Sequence, residues 1–291
     1  MPRWPQGTSS GFGKRLVLSA LKRGDFVISS SRSSKLPADF PQSPRIHHIV
    51  LDLDSGTDEI KKNVDEAVKI WGRIDVLVNN AGSVLPAMLE EGGTMILQKQ
   101  LQTNLFGVLD VTNAVLPHMR ARKSGTVVFS GSRSSWRTDV PGLAYYAMSK
   151  VAVRTLGECF AVELEPFKIN VLIVEPGGFR TEGMLTTPFY KENPIPDYDE
   201  LRTRWEYIFS RIPGTQRGDP AKATEIMVDF VRSEGVAQGM LWPLEKGIAL
   251  PVFLPLGQDC EDAIKEKCDL VLDACVEWKD VLRSTDFDEE K

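Results

Sequence analysis

The sequence predicts an α/β domain, a doubly wound parallel sheet with helices on both faces. Short runs rich in Val, Ile and Leu alternate along the chain with longer segments of helical periodicity. The apolar runs show little alternation with polar residues, as strands covered on both faces do. Helical segments lie between most of them, and such strand–helix–strand crossovers are right-handed.

In chain order, a glycine-rich turn at Gly7 opens into a predicted helix over 11–23, stopped by Gly24 after Lys22 and Arg23. Strands are predicted over 25–29 and 46–53, a helix over 57–71 and a strand over 74–79. A long helix is predicted over 95–120, where Leu101, Leu105, Val108, Thr112 and Val115 follow one another at steps of 4, 3, 4 and 3. Those steps keep them on one face. A strand over 126–130, a helix over 145–165 and a strand over 169–174 come next. The stretch 186–218, rich in Pro, Tyr, Arg and Glu, interrupts the alternation and reads as a surface excursion or a lid. A helix over 221–233, a strand over 252–256 and a charged helix over 259–283 complete the order, and the tail 286–291 is acidic. The expected organisation is a main domain over 1–258 with a lid insertion at about 183–218, then a C-terminal helical extension and tail over 259–291.

Hydrophobic residues at 42% and charged residues at 26% exclude a disordered chain. Lys and Arg number 35 against 40 Asp and Glu, and this net of −5 argues against a nucleic-acid partner. No apolar run is long enough to span a membrane, and the opening residues do not read as a secretory leader. Four cysteines, none in a C-x-x-C pair, fit a reduced, cytoplasmic setting better than a disulfide scaffold. His47, His48 and His118 have no metal-ligand spacing with the cysteines, so no metal site is expected. Cys268 and Cys275 share a helical face and are expected to pack.

Several short patterns carry chemistry. Gly7, Ser9, Ser10, Gly11, Phe12 and Gly13 form a turn that lets backbone approach a pyrophosphate at a helix N-terminus, although the same residues also make an ordinary turn. Tyr146 and Lys150 are one helical turn apart; an ammonium there would lower the phenol's pKa and suit it to proton transfer. The neighbouring Tyr145 would point about 100° away. Asn79-Asn80-Ala81-Gly82 ends a strand, Asn104 stands in mid-helix as a poor helix former, and Ser130-Gly131-Ser132 and Pro176-Gly177 follow strands. Ligands of open α/β sheets bind beyond the carboxyl ends of the strands.

In this order and spacing the patterns resemble the short-chain dehydrogenase/reductase family, over roughly Gly7 to Pro255. The resemblance implies a Rossmann-type fold, a nicotinamide dinucleotide and a small-molecule substrate. It makes Tyr146 the proton donor or acceptor and has Lys150 bind the nicotinamide ribose. It assigns Ser132 to polarising the carbonyl and Asn104 to a proton relay. The family's usual spacing puts the serine at Arg133; alignment from the preceding strand selects Ser132, with Ser134 as the alternative. Asp52 falls at the adenine-contacting position, Asn80, Ala81, Gly82, Pro176 and Gly177 along the cofactor, and Thr181 at the carboxamide. The segment after the second-strand position reads Ser31-Arg32-Ser33, with a guanidinium and no carboxylate, which favours NADP over NAD. The expectation is a carbonyl reductase or alcohol dehydrogenase acting on a small, apolar substrate roofed by aromatics of the 186–218 stretch. Homo-oligomer formation is left open.

One departure is expected to matter. Only Met1-Pro2-Arg3-Trp4-Pro5-Gln6 precedes Gly7, and Gln6 replaces the family's threonine. Two prolines remove ladder donors, so the first strand is expected to be truncated. That supports an alternative: a non-catalytic or weakly catalytic dinucleotide-binding protein acting as a sensor or scaffold.

Overall fold

Seven parallel strands form one sheet in the order β3-β2-β1-β4-β5-β6-β7. The computed structural model describes residues 1–182 and 185–287. Parts of the predicted lid (183–184) and of the acidic tail (288–291) lie outside the described residues. The strands are β1 (Pro2–Pro5), β2 (Phe26–Ser31), β3 (Ile46–Val50), β4 (Val76–Asn79), β5 (Gly125–Ser130), β6 (Ile169–Pro176) and β7 (Val252–Leu256). The chain reverses its winding between β1 and β4, which opens a crevice at the carboxyl ends of those two strands.

The first strand is present, contrary to the sequence expectation. Arg3 is in register with Val27 of β2 on one side and Val76 of β4 on the other. In a parallel strand, successive residues turn their main-chain groups alternately to the two neighbours. Pro2 accepts from Asp75 N at 2.9 Å and Gln6 donates to Val78 O at 3.1 Å, both toward β4; Met1 accepts from Phe26 N at 3.2 Å and Thr8 donates to Ser30 O at 3.0 Å, both toward β2. Each proline therefore forfeits one donor, and the two losses fall on opposite sides. Apolar cover comes from one large residue: Trp4 is fully buried in the core with Ile28, Leu77 and Val108, and its indole N–H donates to Ser30 Oγ at 2.9 Å. Arg3 is buried too, 2.5 Å from Asp25.

Helices cover both faces. Helices α2 (Thr57–Trp71), α4 (Gly107–Arg122) and α5 (Ala144–Glu163) pack Ile60, Val111 and Phe160 on one side, where Phe160 stacks on Phe129 of β5. Helices α1 (Gly11–Lys22) and α7 (Pro220–Arg232) pack Leu16 and Met227 on the other. Local signals set their ends: Asp58 and Glu59 stand in the first turn of α2, and Asp219 caps α7 with Pro220 at its first position.

The predicted 95–120 helix is not continuous. It consists of α3 (Leu89–Leu101), a π-helical turn (Gln102–Phe106) and α4. Asn104 lies in the π turn, the kind of insertion that re-aims a side chain toward a site. The excursion after β6 contains α6 (Asp199–Arg211), tied to α3 by a buried ion pair between Arg202 and Glu91. The Glu91 carboxylate also accepts from Ile195 N at 3.0 Å. Helix α8 (Gln258–Glu277) buries Cys260 and Ala263 in its first two turns; beyond them, and through α9 (Lys279–Arg283), it is exposed. Cys268 and Cys275 are accordingly exposed rather than packed. No described helix is long and apolar enough to cross a membrane.

Candidate active site

The glycine turn joins β1 to α1 at the crevice. Gly7 has φ +66°, and a Cβ on Gly13 would lie 2.3 Å from the Gly7 carbonyl oxygen, so the turn closes this tightly only without side chains. Gln6 is buried and replaces the expected threonine with a longer tether. Its Nε2 donates to Asn79 Oδ1 at 2.9 Å, and its carbonyl accepts from Asn80 Nδ2 at 2.9 Å. The ends of β1 and β4 are thereby fixed together, which sets Ala81 against Gly7.

Asn104, Ser132, Tyr146 and Lys150 come together beyond the ends of β4 and β5. Asn104 is buried; its Oδ1 accepts from Ser83 N at 2.8 Å, and its Nδ2 donates to Ser83 O and to Ser149 Oγ, each at 3.0 Å. A Cβ on Gly82 would lie 3.3 Å from Asn104 Oδ1 and 3.7 Å from Lys150 Nζ, so Gly82 keeps this corner open. Ser132 lies beside the Tyr146 hydroxyl, close enough to hold its pKa down, and its Oγ accepts from Ser134 N at 3.1 Å. Between the two serines, Ser132 is the one on the phenol. Tyr145 points elsewhere: its hydroxyl donates to Leu89 O at 2.7 Å within a small apolar cluster.

The electrostatics differ from the sequence expectation. Burial pushes the Tyr146 phenol up, and the neighbouring Ser132 works against that rise. Lys150 is tied to the backbone at the end of β5. Its Nζ donates to Ser130 O at 2.7 Å and stands 5.7 Å from the Tyr146 ring centroid. Burial also weakens the ammonium itself, lowering Lys150 to about 8.

Two carboxylates unmarked in the sequence analysis hold the Ser132 loop. Glu175, buried near the end of β6, accepts from Ser135 Oγ and Trp136 Nε1, both at 2.7 Å. Burial raises its pKa and those two donors lower it. Asp259, at the start of α8, lies 2.5 Å from Arg133 Nη1 and accepts from Gly178 N at 2.8 Å. A carboxylate at the end of the apolar run Ile169–Pro176 was a readable signal for Glu175; Asp259 offered none.

The remaining residues predicted to meet the cofactor follow the ends of β2, β3 and β6. Arg32 is exposed at the end of β2, where His48 braces the backbone by bonding Ser29 Oγ and Ser33 O, both at 2.8 Å. Asp52 follows β3 and accepts from Asp54 N at 3.1 Å. Pro176 ends β6, and Gly177 N donates to Leu256 O at 2.8 Å. Thr181 lies across the glycine turn, its Cβ 3.6 Å from where a Cβ on Gly11 would be. Gly11 N donates to a carboxylate, that of Glu182, at 3.0 Å. A side-chain-free cradle whose helix N-terminus holds an anion fits the diphosphate of a dinucleotide.

A 390 Å³ cavity lies between the loop after β4 and the start of α5, lined by Ala87, Met88, Val140, Ala144 and the more polar Glu90 and Tyr198. Phe189 and Phe209 stack at 5.8 Å beside Gly142, and Trp205 meets Phe209 edge-on. Tyr207, expected in the same roof, instead faces outward.

Comparison with known proteins agrees with this geometry. The family model described as short chain dehydrogenase matches residues 6–188. A short-chain dehydrogenase of known structure from Streptomyces avermitilis is 33% identical, with a TM-score of 0.79 over 98% of this chain and 99% of that one. The oxidoreductase YusZ of Bacillus subtilis is 30% identical over 257 residues, 85% of this chain and 90% of that protein. The 3-ketodihydrosphingosine reductase of Bacteroides thetaiotaomicron is 33% identical over 175 residues, 60% of this chain and 62% of that protein.

Proposed function

The chain belongs to the short-chain dehydrogenase family, and from that premise we propose that it interconverts a carbonyl and a secondary alcohol on a small, apolar substrate with NADP(H). The observation that carries this reading is the convergence of Asn104, Ser132, Tyr146 and Lys150 on one corner of the crevice, with Ser132 beside the Tyr146 hydroxyl. The sensor or scaffold alternative rested on a truncated first strand, and β1 removes that ground.

The glycine turn, Asp52, Asn80, Thr181 and Lys150 would hold the dinucleotide, with Arg32 at its 2′-phosphate. When bound, the nicotinamide supplies or accepts the hydride. Ser132 hydrogen-bonds the substrate oxygen and holds the charge that develops there. In reduction the Tyr146 hydroxyl gives its proton to that oxygen. A phenol pushed up by burial keeps its proton at neutral pH, which suits a donor. Asn104, through Ser83 and Ser149, fixes the chain of polar groups along which the proton is replaced. The apolar wall of Ala87, Met88 and Val140 supports the substrate class, and the 186–218 excursion serves as the lid.

A panel of apolar ketones with NADPH and NADH, followed by cofactor oxidation and run beside a cofactor-binding titration, tests the proposal. Turnover of at least one ketone with NADPH preferred is expected. Cofactor binding without turnover of any panel member would reject the reductase reading, and no binding would reject the dinucleotide reading.

A further inference from the structure

The glycine turn holds its anion with more than one donor. Glu182 Oε2 accepts from Gly11 N at 3.0 Å and from Arg15 Nη1 at 2.8 Å, and Oε1 accepts from Arg15 Nη2 at 2.9 Å. Arg15 is one turn into α1, and its Nη1 also donates to the Gly11 carbonyl at 2.9 Å, which pins the guanidinium over the helix start. A two-oxygen anion that is bidentate on a guanidinium and caps a helix N-terminus has the charge and donor pattern of one phosphate of a diphosphate. The two side chains of the pair are 24% and 54% exposed. It holds the Glu182 carboxyl down at about 2 and raises Arg15. The adjacent Thr181 touches the same turn, so one short stretch of the loop after β6 lays both side chains over the cradle.

We infer that Glu182 is an internal competitor for the cofactor's diphosphate and that Arg15 is a diphosphate-binding residue, so that dinucleotide binding exchanges a carboxylate for a phosphate on the same donors. The inference rests on the proposed dinucleotide function. Two anions cannot share one guanidinium fork and one amide, so the Arg15–Glu182 pair opens before the diphosphate seats. Apparent affinity is then the intrinsic affinity reduced by the fraction of turns with Arg15 free. The exchange concerns the part that NADPH and NADH have in common. It therefore sets how tightly either binds and leaves the choice between them to Arg32.

A fluorescence titration of the full chain with NADPH and with NADH, without substrate, reads this directly. Glu182→Gln removes the competitor and keeps the size; it is expected to lower both dissociation constants by about two- to fivefold, and Glu182→Ala to do the same. Arg15→Ala is expected to raise both by about tenfold, and the double variant Arg15→Ala with Glu182→Gln to stay weak, because the missing fork no longer needs freeing. If the parent binds NADPH and the Glu182 variants bind it equally or more weakly, the carboxylate is a strut and the inference falls while the dinucleotide reading stands. If neither parent nor variants bind either dinucleotide, the reading beneath it falls as well.

Discussion

Asp259 Oδ2 lies 2.5 Å from Arg133 Nη1, joining the first turn of the C-terminal helix to the residue that follows Ser132. The same oxygen accepts from Gly178 N at 2.8 Å. One carboxylate therefore sets the Ser132 loop against the loop that leaves β6 along the proposed nicotinamide site. Asp259→Asn keeps an acceptor for Gly178 and discharges the pair with Arg133. Its expected effect is a fall in kcat of roughly tenfold with NADPH affinity within about threefold of the parent. Arg133→Ala is expected to match it, and the double variant to be no worse than either. Steady-state kinetics beside a binding titration check this; a change confined to NADPH affinity would contradict it.

The two adjacent tyrosines are expected to separate cleanly. Tyr146→Phe removes the proposed proton donor beside Ser132, and turnover should drop by at least about a hundredfold with the cofactor still bound. Tyr145→Phe removes a bond to Leu89 O and should cost about 1 kcal/mol of stability while leaving most of the activity. Single-turnover reduction of a ketone together with chemical denaturation measures both.

Arg32 is exposed at the end of β2 and free to meet a 2′-phosphate. Arg32→Asp exchanges a phosphate partner for a phosphate repeller. The ratio of NADPH to NADH affinity is expected to invert, by titration of both dinucleotides. Equal affinities in the parent would refute this role.

Lys150 links stability to pH with a definite sign. Burial holds its folded pKa at about 8, below the ordinary lysine value of 10.5, so between these values the unfolded chain binds more protons than the folded one. Stability from this group therefore rises with pH across that window, as the cost of a buried ammonium is relieved. The parent should gain on the order of 2 kcal/mol from pH 8 to 10 relative to Lys150→Met, measured by denaturant midpoints at the two pH values. No difference between the two proteins would show that the ammonium is not desolvated.

Trp4 carries most of the apolar cover of the central strand. Trp4→Ala should destabilise the chain by about 3–5 kcal/mol by leaving a cavity between β1, α2 and α4. Replacing Met1 to Gln6 with β-branched residues should bring no comparable gain, because Pro2–Pro5 already completes the sheet. Thermal or chemical unfolding of both variants tests this.

What the sequence determined by itself is what short-range pattern encodes. Apolar runs and helical periodicity placed β2 to β7 and most helices within a few residues. The glycine spacing of the turn and the one-turn step from Tyr146 to Lys150 marked two parts of the site, because both are properties of a few consecutive residues. Four features were decided only by the tertiary structure. The segment Pro2–Pro5 is a strand because β2 and β4 lie on either side of it and bury Trp4. The loop that carries Ser132 is held by Glu175 and Asp259, both distant in the chain. The acidities of Tyr146 and Lys150 follow burial rather than their spacing along the helix. Glu182 caps α1 across more than 170 residues of chain. Burial and contacts between distant segments have no period along the chain, so they are set only when the sheet and its loops close around one another.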